Sequence, residues 1–129
     1  MARGRLVDAM ARVADVRRIA LSLPAATEQE TWGDTTFRVR GKIFAVVGPD
    51  GTGASVKASP DDQAALVASD AATFQPSAYT GRFGWVTIDL SRVQNAMLER
   101  PIRDGWRRTA PKRLAGALAA SADRREGGR

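Results

Sequence analysis

The sequence predicts an α+β domain of two layers, a single antiparallel sheet covered by helices on one face. Three observations carry this. Thr35–Arg40 and Trp85–Leu90 alternate polar and apolar residues with a period of two, and Ile43–Val47 is an unbroken apolar run. Short glycine-containing turns follow the first two of the strands read between Thr31 and Ser59, which makes those neighbours antiparallel. Helical start and stop signals stand before, between and after the strands. The order is helix, three strands, helix, two strands, helices.

The first helix is read from Val13, Val16, Ala20 and Leu23, with Ile19 beside them on one apolar stripe. Pro24 ends it, because the residue before a proline is pushed out of the α region. The first strand is Thr35–Arg40, and Gly41-Lys42 is the turn into Ile43–Val47. A two-residue turn there sets Phe37 and Val39 opposite Val46 and Phe44 on the core face. Arg38 and Arg40 then stand on the other face, beside Ile43, Ala45 and Val47. Gly48–Gly53 is a looser turn, and Ala54–Ala58 returns as the third strand.

Ser59-Pro60-Asp61-Asp62 is a helix start: an N-cap serine, a proline at the first helical position and two acids at the positive end of the dipole. This helix runs to about Ser69 and packs Leu66 and Val67. Asp70–Tyr79 is loop-like, with a short strand around Phe74. Thr80–Gly84 is a turn, and Val86, Ile88 and Leu90 share one face of the next strand. Ser91 caps a helix over Arg92–Glu99 with Val93 and Met97 inward. Pro101 restarts a helix containing Trp106, and Pro111 starts a last one through Leu114 and Leu118. Residues 1–129 are one domain with a core at 13–118, flanked by flexible basic extensions at 1–12 and 121–129.

Composition removes several functions. The chain has no cysteine and no histidine, so disulfides, thiol nucleophiles, Cys or His metal sites and the usual neutral-pH general base are all missing. No apolar run approaches the roughly 18 residues of a membrane span. No apolar segment follows the basic N-terminus as in a secretory signal. A soluble cytoplasmic protein without a membrane partner is expected. The net charge is +6 and the pI about 11.0, which favours an anionic partner. Seventeen of the twenty cations are Arg and three are Lys, a bias that coding composition also produces.

No catalytic residue, metal ligand set or cofactor is read from the pattern. Asp61-Asp62 is the one acidic doublet in the helical and strand segments, and helix capping accounts for it. Glu28, Glu30 and Asp34 flank Trp32 as a solvated strand end. Gly48–Gly53 lacks the Lys-Ser/Thr ending of a phosphate loop and joins two strands.

The cations carry more. Arg38 and Arg40 project from a strand, Lys42 from its turn, Lys57 from the third strand and Arg82 from the glycine turn. Arg107, Arg108, Lys112 and Arg113 bracket Pro111. A guanidinium can give two hydrogen bonds to a phosphate, and a β-ribbon can enter or straddle a groove. Phosphate contacts are expected ahead of base contacts, because Asn and Gln are scarce in this set. Trp32, Tyr79 and Trp85 are candidates for a ligand pocket or a base-stacking platform. Trp85 and Trp106 lie in structured segments, where core packing is the simpler role.

With these segments placed, the chain resembles the MmcQ/YjbR family. The matching stretches are IALSLPAATEQETWG at 19–33, FRVRGKIFA at 37–45, SVKASPDD at 55–62, YTGRFGWVTIDL at 79–90 and WRRTAPKRL at 106–114. The resemblance implies a secretion-chaperone-like fold with a further strand near Phe74–Ala78. It also implies DNA binding through a double-wing surface on the strands, and it supplies no catalytic residues. The expected function is a small non-enzymatic protein that contacts the phosphates of double-stranded DNA with low sequence specificity. The alternative is a protein- or small-ligand-binding module of the same fold.

Overall fold

The computed structural model describes residues 11–116. Its elements are α1 (Val13–Leu21), β1 (Ala26–Thr31), β2 (Asp34–Val39), β3 (Lys42–Val47), β4 (Gly53–Val56), α2 (Pro60–Ser69), β5 (Phe74–Pro76), β6 (Val86–Asp89) and α3 (Glu99–Thr109). A further helical segment covers 112–116. The six strands form one sheet in the order β1-β2-β3-β4-β6-β5, with every pair antiparallel. The mixed α+β architecture with a single antiparallel sheet is as the sequence predicts.

One face of the sheet is apolar because the inward positions of each strand are. Phe37, Val39, Ala45, Val47, Ala54, Val56, Val86 and Ile88 are buried there. Val16, Ile19 and Ala20 of α1 and Ile102 and Trp106 of α3 close the other side of the core. Trp106 is fully buried, and its indole N–H donates to the Pro24 carbonyl at 3.0 Å. That bond satisfies the one polar atom this side chain brings into the core. Gly105 lets α3 lie against the strands: a Cβ there would stand 3.0 Å from the Lys57 carbonyl oxygen and 3.1 Å from that of Phe44.

The sheet differs from the expectation in two ways. Strand β1 is additional, so four strands precede α2. The hairpin register is also shifted. The turn is Arg40-Gly41, both at positive φ, and Val39 pairs with Lys42 and Arg38 with Ile43. A bulge between Phe37 and Arg38 then sets Phe37 opposite Ala45. The slip places Ala45 and Val47 in the core and leaves Val46 half-buried on the other face. A one-residue slip exchanges the two faces of a strand, which is why these assignments reverse together.

The C-terminal helices also differ. No helix forms over Arg92–Glu99. Ser91 bonds back to Asp89 through its backbone N–H (3.0 Å) and its hydroxyl (2.6 Å), and a short 3₁₀ turn covers Asn95–Met97. Met97 is exposed rather than inward. Helix α3 begins before Pro101, which sits in its first turn, where no N–H is required. Ala11 is buried, and its N–H donates to the Val93 carbonyl at 3.0 Å. The structured region therefore starts before Val13. Residues 1–10 of the extension predicted at 1–12, the extension predicted at 121–129, and Leu118 lie outside the described residues.

The start of α2 is as predicted. The Ser59 hydroxyl accepts from the Asp62 backbone N–H at 3.0 Å, and Pro60 is the first helical residue.

Candidate functional site

The register gives the sheet two distinct ends. The β2–β3 turn, the residues after β4 and the residues after β5 lie at one end, because Val39 pairs with Lys42, Val56 with Val86 and Pro76 with Val86. The β1–β2 turn, the β3–β4 loop and the end of β6 lie at the other, since Thr31 pairs with Asp34, Thr35 with Val47 and Gly53 with Asp89.

Most of the predicted cations fall at the first end. Arg40 and Lys42 are exposed at the β2–β3 turn. Lys57 follows β4 and is half-buried, with its backbone N–H held by the Phe44 carbonyl at 3.1 Å. Arg82 is exposed in a 3₁₀ turn, Gly81–Phe83. That turn is fixed beside Lys57 by Gly84, whose Cβ position would lie 2.3 Å from the Ala58 carbonyl oxygen. Arg107 and Arg108 lie in the last turn of α3 and are exposed. Lys112 and Arg113 are exposed just beyond.

Among the described residues Arg40, Lys42, Lys57, Arg82, Arg107, Lys112 and Arg113 make no ion pair, whereas Arg108 binds Asp62 at 3.0 Å. Asp61 and Asp62 are the acids that open α2 near this end. The opposite end carries Asp34, Asp50, Asp70 and Asp89. Asp50 is held below the ordinary carboxylate range by hydrogen bonds from Thr52, chiefly its backbone N–H. Asp70 is held down chiefly by the Thr73 hydroxyl, at 2.6 Å.

Arg38 is not a projecting cation. Its guanidinium lies along the outer sheet face and donates to the Thr36 hydroxyl (3.2 Å), the Gly41 carbonyl (3.3 Å) and the Thr31 hydroxyl (3.2 Å). All three acceptors are neutral, so the charge remains, but much of its donor capacity is already used.

The three aromatic candidates do not meet. Trp32 stands at the tip of the β1–β2 turn, 98% exposed, at one edge of the sheet. Tyr79, 94% exposed, and half-buried Trp85 lie at the other edge and the other end. No shared pocket joins them. Phe83, 62% exposed, belongs with Tyr79 and lies under the Arg82 guanidinium, 4.7 Å from its ring centroid. The signal for Phe83 in the sequence is an aromatic residue enclosed by two turn glycines.

A separate hollow lies elsewhere. It is open, of about 830 Å³, at the acidic end between Arg12, Asp50, Thr52, Gln75 and Asp89. Among the described residues no group of three or more acidic side chains could hold a metal ion. No helix among them is long and apolar enough to cross a membrane.

Comparison with known proteins bears on the fold and the family. A crystal structure of the Deinococcus radiodurans protein DR2400, with a DUF419 domain, is similar with a TM-score of 0.68 and 21% identity. The similarity covers 76% of this chain and 78% of that one. No curated protein matches the chain. The YjbR family model matches residues 21–108, which spans α1's end through α3 and includes both turns described above. The chain belongs to the YjbR family.

Proposed function

We propose that this protein binds DNA without catalysing a reaction, and that it does so through the cationic end of its sheet. The supporting observation is the cluster of Arg40, Lys42, Lys57 and Arg82 at one end, with no ion pair among the described residues. Cations without a carboxylate partner remain available to phosphates, and a charge carried on turns reaches a backbone groove. The contacts are to phosphates of double-stranded DNA, with little reading of bases, since no Asn or Gln stands among these side chains. Arg107, Lys112 and Arg113 extend the surface toward the C-terminus.

Fluorescence anisotropy of a labelled duplex tests this. If about four phosphates are neutralised, affinity falls roughly a hundredfold between about 50 and 200 mM salt. A double substitution, Arg40→Asn with Lys42→Ala, weakens binding at the lower salt by about tenfold or more. A flat titration at low salt would end this reading. The competing reading, a module for a peptide or small ligand, would use the hollow at the acidic end. It predicts that the double substitution leaves partner binding unchanged.

A further inference from the structure

The loop that carries Arg82 has a second property. It is rigidly built, yet it presents aromatic rings to solvent. The Gln63 amide donates to the carbonyls of Gly81 (2.7 Å) and Trp85 (2.9 Å). The Gly81 N–H donates to the Ser77 carbonyl at 2.8 Å, and the Ser77 N–H to the Trp85 carbonyl at 3.0 Å. Gly84 is wedged against Ala58 and Ser59. On this frame Tyr79 is 94% exposed and takes φ +65°, a left-handed conformation unfavourable for a bulky residue. A side chain held out by a strained backbone on a fixed loop is arranged for display rather than for packing.

Beside it the planar guanidinium of Arg82 lies over the Phe83 ring. The outward face of that guanidinium is a second flat surface, and it carries a charge. Nucleic-acid bases stack on tyrosine rings and on guanidinium planes when they are unpaired, and cannot do so inside a duplex. Lys57 precedes Ala58, the residue against which Gly84 packs, so a cationic residue stands in the segment on which this loop is seated. An apolar protein partner would have to bury Arg82 without a carboxylate from this loop to pair it.

We infer that Tyr79 and the Arg82–Phe83 stack form a platform for unpaired bases, so that the cationic end takes single-stranded DNA in preference to duplex. This rests on the DNA-binding reading above and adds to its duplex phosphate contacts a stronger hold on unpaired bases at the same end.

The test compares three labelled probes of about 12 nucleotides: oligothymidine, an abasic backbone of equal length, and a duplex. Oligothymidine should bind about tenfold or more tighter than the abasic backbone, as expected for stacking of one base. Tyr79→Ala should remove most of that difference, Tyr79→Phe should keep it, and duplex affinity should change in neither. Because Tyr79 is exposed, the melting temperature of Tyr79→Ala should not fall. Equal affinity for oligothymidine and the abasic backbone would overturn the platform. So would a Tyr79→Ala loss shared by all three probes. In either case salt-dependent duplex binding would leave the DNA-binding reading standing, whereas no binding to any probe would remove both.

Discussion

Single residues in this fold separate binding from stability. Arg40 occupies the first position of a two-residue hairpin turn at φ +53°, with Gly41 at φ +82° behind it. Asparagine takes that conformation more readily than arginine, and Asn-Gly is a preferred pair for such turns. Arg40→Asn should therefore raise stability by up to about 1 kcal/mol while weakening DNA binding. A thermal melt and an anisotropy titration on the same variant check both signs. Arg38 behaves oppositely. Its guanidinium ties β2 to Thr31 and to the turn, so Arg38→Ala should lower the melting temperature. Tethered in this way, it is the weakest candidate of the set for a phosphate. Among the described glycines Gly84 is the most tightly enclosed: φ is +104°, and a Cβ would meet the Ala58 carbonyl oxygen at 2.3 Å. Gly84→Ala should cost about 2–4 kcal/mol in denaturant melts.

At the scale of elements, helix α2 depends on its start. None of its residues is fully buried; half-buried Leu66 packs against the core and Gln63 ties it to the Gly81 and Trp85 carbonyls, and the Ser59 cap closes its exposed first turn. Ser59→Ala should cost about 1 kcal/mol, read as a lower denaturant midpoint with an unchanged slope. The same helix shows what was legible in the sequence. Serine, proline and two acids in succession state a helix start by local chemistry alone, and the structure has it at those residues. The interior strands were legible for a similar reason, since Val86, Ile88 and Leu90 alternate and all three are buried. Strand β1 was not legible. It is an edge strand, Ala-Thr-Glu-Gln-Glu-Thr, with no buried residue, so no apolar alternation marks it. Its trace is the Trp32-Gly33 turn that precedes Thr35–Val39. By its sequence the hairpin turn begins at Gly41, the residue with the freest backbone. The protein places Arg40 there instead and absorbs the difference in a bulge. After Ser91 the sequence predicts a helix that does not form, because serine and aspartate close a local turn there, which competes with capping a helix.

For the whole molecule, the strand register creates the polarity of charge on which the proposed function rests. Antiparallel order brings the β2–β3 turn, Lys57 and the Gly81–Phe83 turn to one end, although 42 residues of sequence separate Arg40 from Arg82. The candidate cations were legible singly, but their grouping was not, because it depends on which strands pair. The same order sends Trp32 to the far corner, so the expected aromatic pocket is divided.

Charge also governs pH dependence. With no histidine in the chain, no side chain titrates near neutrality in the ordinary way, and stability should be flat from about pH 6 to 8. The carboxyls of Asp50 and Asp70 are held down in the folded state by hydrogen bonds. Their contribution is present above the unfolded carboxylate value of about 3.9 and disappears as pH falls through the lower folded values. Both groups are exposed, so the loss should be gradual, and melting curves between about pH 2 and 8 check it.

Whether DNA lies on the cationic end is read from the salt dependence of duplex binding. The slope of log affinity against log salt, measured for the native chain and for Arg40→Asn with Lys42→Ala, counts phosphate contacts at the cationic end. A slope of about −3 to −4 is expected for the native chain, reduced in magnitude by about 2 in the double variant. An identical slope in both proteins would mean that DNA lies on another surface, and no measurable binding at low salt would contradict the account altogether.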